Sequence, residues 1–299
     1  MNAAITLIKR NIKLFFKDKG MFLTSLITPA ILLVLYSTFL SNVYRNSFTE
    51  SLPDSFSLSN SIVEGLVGGQ LISSLLAVSC VTVAFCANFL IVQDKVNGTV
   101  KDLRISPVNL SMLSMSYYIA SLFSTLTICF VATGICLAYV AFVGWYMSAA
   151  DVFLLFLDVL LLALFGTALS SIINIFLSTQ GQISAVGTII SAGYGFICGA
   201  YMPISSFGSG LQRALSFLPG TYGTSLVRNH AMQGVLTEMN KQGVPMEVIE
   251  EIKDSLDCNL YFFDHQVGIS SMYMILGVTI VILIGAYILI NLMRKGIRK

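Results

Sequence analysis

Long apolar runs, separated by short polar clusters, dominate the pattern of this chain. A membrane span needs about 20 apolar residues to cross a hydrocarbon core about 30 Å thick. Six segments reach that length: residues 21–40, 62–92, 110–143, 152–177, 183–201 and 269–292. The second and third exceed it, which predicts tilt or helical extensions. Gly65, Gly68 and Gly69 interrupt the start of the second, so its boundary is the least sharp. Residues 3–19 follow a different period. Ile5, Ile8, Ile12 and Phe15 recur at helical spacing, with Lys9, Arg10, Lys13 and Lys17 on the other face. Such a helix lies flat at a headgroup surface. It serves either as a positively charged anchor or also as a contact for a cytoplasmic partner. The pattern therefore predicts an all-α polytopic membrane protein, one unit over 1–299. It has an interfacial helix over 1–20, six spans, and an external stretch over 202–268.

Composition agrees: 56% of the 299 residues are hydrophobic and 11% are charged. A soluble domain of this size exposes far more charge. The net charge of +2 is spread out, so nucleic acid is not an expected partner. Five of the six cysteines (Cys80, Cys86, Cys129, Cys136, Cys198) sit in apolar runs, and Cys258 in a polar one. No disulfide framework or metal-ligand spacing results. The basic and apolar alternation of the first 20 residues argues against a cleavable signal peptide.

Charge also sets orientation. With six spans, the head, the loop after the second span and the tail share one side. They hold twelve of the 17 Lys and Arg residues. Four of the remaining five lie in one long loop, where charge counts little. The positive-inside rule then predicts both termini in the cytoplasm. On the opposite side, residues 41–61 read as irregular around Pro53. Residues 245–256 form a small helical cap, with Val248, Ile249, Ile252 and Leu256 on one face. Glu247, Glu250, Glu251 and Asp254 take the other.

Three places carry candidate chemistry. The first is the cytoplasmic loop 93–110. Gly98 permits a sharp backbone change, Thr99 is placed to cap a short helix, and Pro107 closes it. Val100, Leu103 and Val108 would meet a partner's groove, flanked by Lys101, Asp102 and Arg104. The same stretch also reads as an ordinary inter-span loop. The second is residues 194–228, where an apolar run ends at Met202-Pro203. A short amphipathic piece follows, then Leu218-Pro219. Prolines that break helices at membrane depth need protein or water around them. The third is Asp158, an acid inside an apolar run about two turns beyond Asp151. A central membrane charge costs about 2.5–3.5 kcal/mol on insertion scales. It lines a pathway or pairs with a cation; equally, neighbouring hydroxyls hold it or protonation neutralises it. Asn88, Asn174, Gln180 and Gln182, near inner span ends, suit interhelical hydrogen bonds. Tyr194, Phe196 and Tyr201 suit the lining of an apolar route.

The loop and the break together resemble the membrane subunit of type-2 ATP-binding-cassette exporters. That family has an acidic-basic-acidic-x-Gly-Thr run after its second span, then Leu-Arg-x-Ser/Thr-Pro. Asp94, Lys95, Val96, Asn97, Gly98 and Thr99 stand here, followed by Leu103, Arg104, Ser106 and Pro107. Val96 departs from the second acid of that pattern. The family's Gly-x-x-x-Pro-Ile and Leu-x-x-Leu-x-Pro-x-x-Tyr runs are matched by Gly199, Met202, Pro203, Ile204, Leu215, Leu218, Pro219 and Tyr222. Arg228 follows them. The resemblance implies a permease that pairs with a second copy or a related permease and docks a dimer of separate ATPases. ATP and Mg²⁺ would be held by those ATPases, and no cofactor by this chain. The docking surface would include Lys9, Lys13, Lys17, Asp94, Lys95, Gly98, Thr99, Leu103, Arg104 and Pro107. The stretch from Gly199 to Arg228 would form short re-entrant gate helices near the outer leaflet. Gly195 with Gly199, and Gly65 with Gly69, allow close helix packing.

The implied activity is export of an amphipathic drug, peptide or lipid-like substrate across a bacterial inner membrane. The chain has no Gly-x-x-x-x-Gly-Lys-Ser/Thr loop, so the fuel is hydrolysed elsewhere. An ion-coupled carrier would favour several intramembrane charges and two similar halves. An intramembrane enzyme would need more than His230 and His265, both of which fall in the expected outer loop.

Overall fold

The computed structural model describes residues 2–35, 38, 41–42, 45, 59–105 and 108–296. Most of the expected outer loop 41–61, together with Ser106 and Pro107, lies outside the described residues.

Helix α1 (Asn2–Lys17) and helix α2 (Lys19–Leu35) meet at a bend of 69°. The break falls at Asp18, whose Oδ1 accepts the Met21 amide at 3.1 Å. A carboxylate there satisfies an amide left open at the start of α2. The buried seam of α1 is Leu7, Asn11 and Phe15, packed across α5 (Leu110–Val143). This corrects the expected apolar stripe: Ile5 is exposed, while Ile8 and Ile12 are half-buried.

Helix α3 (Asn60–Val96) is the centre of the molecule. Its 37 residues extend about 55 Å at the α-helical rise. It touches α2, α5, α6 (Ala149–Phe176), α7 (Gln180–Ile197) and α9 (Pro219–Lys241). A helix covered on all sides needs no polar face, and apolar residues surround it. Its glycines do not break it; they are points of close approach. A Cβ at Gly65 would lie 2.9 Å from the Tyr146 ring, and one at Gly69 would lie 2.8 Å from Met232 Cγ.

Among the described residues four helices, α3, α5, α6 and α11 (Ile269–Gly296), are long and apolar enough to cross a membrane, and the bent pair α1–α2 would be a fifth. Helix α7 is shorter, at 18 residues, and Gln180, Gln182 and four glycines dilute it. The chain is an all-α multi-pass membrane protein. Two helix starts carry reciprocal capping boxes, Ser148 with Asp151 and Thr179 with Gln182. Gln182 and Asp151 are thus spent locally.

The stretch 202–268 departs most from expectation. It contains a 3₁₀ turn (Ile204–Ser206), α8 (Ser209–Leu215), the long helix α9, α10 (Met246–Ser255) and an antiparallel hairpin. The hairpin strands are β1 (Leu260–Phe262) and β2 (His265–Val267). Every residue of α9 from Gly220 to Met232 is buried, among α3, α6 and α11. His230 therefore sits inside the bundle and not in an outer loop. The 245–256 cap is present as α10, with Ile249, Ile252 and Leu256 buried.

Candidate functional site

The turn after α3 is built by residues that hold it from inside. Asp94 is buried and accepts from Arg10 Nη1 at 2.8 Å and from the Tyr117 hydroxyl. Helix α1 is thereby pinned to the end of α3 and to α5. Burial lowers the Arg10 guanidinium, but the hydrogen bond and charge of Asp94 outweigh it and hold it above its ordinary value. Lys95 Nζ donates to the carbonyls of Asn174, Ile175 and Leu177 at 2.7–3.1 Å. A cation there closes the exposed C-terminal carbonyls of α6 and meets the negative end of its dipole. Asp94 and Lys95 therefore face the protein. Asn88 binds α6 in the same way, through the Thr167 carbonyl at 3.2 Å and Ser171 at 3.1 Å.

Gly98 has φ +80°, the left-handed position that ends α3 and starts α4 (Thr99–Ile105). Its carbonyl accepts from Lys101 N and Asp102 N, so Gly98, and not Thr99, occupies the cap position. Val100 is buried, and Leu103 and Val108 pack on the core. Of the expected groove-facing set, Val100 is thus turned to the chain's own core, while Leu103 and Val108 are half-buried. The side of α4 open to a partner carries Lys101, Asp102 and Ile105, with Ile105 86% exposed. Lys9, Lys13 and Lys17 are exposed on α1. Arg104 is helical, and its side chain lies outside the described residues. Valine at Gly98 is expected to cost about 1–2 kcal/mol at the helix end, from the left-handed backbone. Amide exchange over residues 95–105 should quicken while the global melting temperature holds. Unchanged exchange would remove the role assigned to Gly98.

Beside the N-terminal half of α3, Arg228 ties four elements together. It is 1% exposed. Nη1 donates to the Leu256 carbonyl at 2.6 Å; Nη2 donates to the Gly199 carbonyl at 2.8 Å and to Ser74 Oγ at 3.4 Å. Asp257 Oδ2 lies 3.6 Å from Nη1. Asp257 also accepts the amides of Ile204 and Ser205. Burial pushes the Asp257 carboxyl up, against the pull of Arg228 and of those two amides. Gly199, at φ +74°, is required here: a Cβ would lie 2.9 Å from Ile204 Cγ1 and 3.0 Å from Asp257 Oδ2. The neighbouring corner is held by Thr221 and Tyr222, whose hydroxyls donate to the carbonyls of Leu215 and Ser216. Pro219 opens α9 at a position with no amide to lose. Met202 and Leu218 are exposed, and Pro203 precedes the 3₁₀ turn. Gly195 accommodates the ring of Tyr201 and not a second helix.

Asp158 is fully buried and doubly held. His230 Nδ1 lies 2.6 Å from Oδ2, and the Tyr273 hydroxyl donates to Oδ1 at 2.6 Å. The three residues join α6, α9 and α11. Neither partner was visible in the sequence, because His230 is 72 positions away and Tyr273 is 115.

A groove of about 1010 Å³ runs between α2, α3 and α7. Ile27, Ile31 and Phe89 line it beside Thr24, Thr28, Ser184 and Thr188, so its wall is amphipathic. Phe196 and Tyr201 close one end, edge to face at 5.1 Å. Tyr194 is buried behind them, away from the groove. The candidate route residues therefore do not share one site. Asp158 stands with His230, and Phe196 and Tyr201 stand at the groove.

The family model described as ABC-2 type transporter matches residues 2–231, from α1 through most of α9. No curated protein and no solved structure matches the chain.

Proposed function

Because the chain belongs to the ABC-2 type transporter family, we propose that it is the permease of an exporter powered by separate ATPase chains. The observation that carries this reading is the open face of α4. Ile105 and Lys101 point outward on a helix whose other side is anchored in the core. Exposed apolar and charged residues on a short, fixed helix make a handle for a partner groove. Lys9, Lys13 and Lys17 on α1 extend the same handle. Asp94 joins α1 to the end of α3, so force applied at α1 or α4 reaches the central helix directly. From there it passes to α9 through the contacts at Gly65 and Gly69. Packed helices of this kind move between discrete arrangements. ATP and Mg²⁺ act on the ATPases; this chain transmits the motion.

Six spans, α2, α3, α5, α6, α7 and α11, fit this scheme. Both termini and α4 then share the cytoplasmic side of a bacterial inner membrane. Helices α8 and α10 and the hairpin lie opposite. The α2–α7 groove is where a second copy of the chain would close the route. Its mixed hydroxyl and aliphatic wall suits an amphipathic drug, peptide or lipid-like substrate. A second reading, an ion-coupled carrier, would have to work through the Asp158–His230–Tyr273 cluster, the one place where a buried acid and a histidine meet among the described residues.

Lys101→Glu combined with Ile105→Glu tests the docking face, with the permease co-expressed with its ABC ATPase. The expected result is an unchanged melting temperature, loss of co-purification, and loss of ATP-dependent uptake into inside-out vesicles. Full co-purification and transport by the double variant would overturn the proposal.

A further inference from the structure

The hairpin and its neighbour α8 present an aromatic cluster to the outside. Phe217 is 61% exposed, Phe263 47% and Phe262 36%. The three rings stack edge to face, with centroids 4.9 Å apart for Phe262–Phe263, 5.1 Å for Phe217–Phe262 and 5.9 Å for Phe217–Phe263. Arg213 lies over the Phe263 ring at 5.9 Å. Exposed clusters of this kind mark a surface that meets something apolar.

The cluster is held rigidly. Tyr261 donates its hydroxyl to Asp254 Oδ1 at 3.0 Å, and Asn259 Nδ2 donates to Asp254 Oδ1 and Glu250 Oε2. Leu260 is buried beneath. Strand β1 is thus fixed to α10, and its exposed rings project from a firm base. The turn itself carries strain. Phe263 and Asp264 form a two-residue connection with φ +46° and +69°. Such turns favour Asn-Gly, because both positions need a left-handed backbone. A phenylalanine at the first of them is disfavoured by its Cβ and is held against that preference.

Connectivity identifies what the rings meet. Strand β2 ends at Val267, and α11 begins at Ile269, with Gly268 alone between them. Helix α11 is one of the four helices apolar enough to cross the bilayer. The hairpin therefore sits at the depth where that helix enters the hydrocarbon. Phenylalanine rings with a flanking arginine suit this layer: apolar rings buried at the acyl boundary, guanidinium among the phosphates.

We propose that Phe217, Phe262 and Phe263 insert into the headgroup–acyl boundary of the leaflet where α11 starts, with Arg213 against lipid phosphate. The hairpin is then a lipid-embedded footing for the 199–260 segment. It fixes the height of α8 and the Gly199–Arg228–Asp257 knot relative to the bilayer. The inference rests on α11 crossing the membrane and not on the export reading or on which leaflet is involved.

The test uses the full chain in phosphatidylcholine vesicles. Trp145 is the one native tryptophan, so Trp145→Phe gives a silent background for Phe262→Trp. Lipids brominated near the headgroup end of the acyl chain are expected to quench most of the new emission. Deep bromines should quench less, and aqueous iodide least. Strong quenching by iodide with none by brominated lipid would place the hairpin in water and overturn the proposal. Quenching by neither would mean that protein covers the rings, which overturns it equally. If Phe262→Trp does not fold, Phe217→Trp reports from the ring that touches both others.

Discussion

Arg228→Met is expected to unfold most of the protein. Methionine roughly fills the volume of the arginine stem but supplies none of its donors. The carbonyls of Gly199 and Leu256 lose their partner, and Asp257 keeps a buried charge with no cation beside it. Breaking a buried pair from one side costs about 3–5 kcal/mol, a large part of the 5–15 kcal/mol that holds a typical domain together. Thermal unfolding in detergent should show a much earlier transition and a lower yield of folded protein. The second variant isolates the charge. Asp257 has φ +54°, which asparagine tolerates and leucine does not. Arg228→Met with Asp257→Asn removes both charges and keeps one oxygen, enough for either the Ile204 or the Ser205 amide, which the two carboxylate oxygens accept separately. It should therefore lose clearly less than the two single changes added together. Additive losses would mean that Arg228 acts by packing alone.

The part of this structure visible in sequence is the part exposed to one environment along its length. Helix α5 matches the expected 110–143 run residue for residue, because apolar length alone defines a helix facing lipid and protein. Gly98, Gly199, Pro203 and Pro219 were legible because backbone chemistry confines them to turns and helix starts. Helix α9 was not. Buried on every side, Thr221–Met232 has no polar face to produce a period, and its Arg228, Asn229 and His230 read as loop. Each of those polar residues is satisfied by a partner far along the chain: Arg228 by Gly199 and Leu256, Asn229 by Cys258, His230 by Asp158. The inward roles of Asp94 and Lys95 were hidden for the same reason. Their motif announces a turn, but the spacing does not tell which side chains hold it and which are offered to a partner. Val100 and Leu103 look like docking residues by composition and are claimed by the chain's own core.

Asp158→Ala is expected to lower stability through two orphaned donors, His230 and Tyr273. Each buried group left unsatisfied costs about 1–3 kcal/mol. Tyr273→Phe removes only one bond to the carboxylate, and interhelical bonds of this kind average about 0.6 kcal/mol in membranes, with a maximum near 1.7. The expected order of melting temperatures is therefore wild type, Tyr273→Phe, then Asp158→Ala. His230→Ala belongs near the last, because it leaves a buried carboxylate with a single donor. Asp158→Ala and His230→Ala act on the same contact at 2.6 Å, so the double variant should recover about 0.5–3 kcal/mol relative to the sum. An acid on a transport route behaves differently. Its removal would abolish transport while leaving melting near that of the wild type, and the double variant would show no coupling. The cluster joins α6, α9 and α11, so the first outcome makes it a fastener of the helices around α9. The second outcome would return Asp158 to the substrate path.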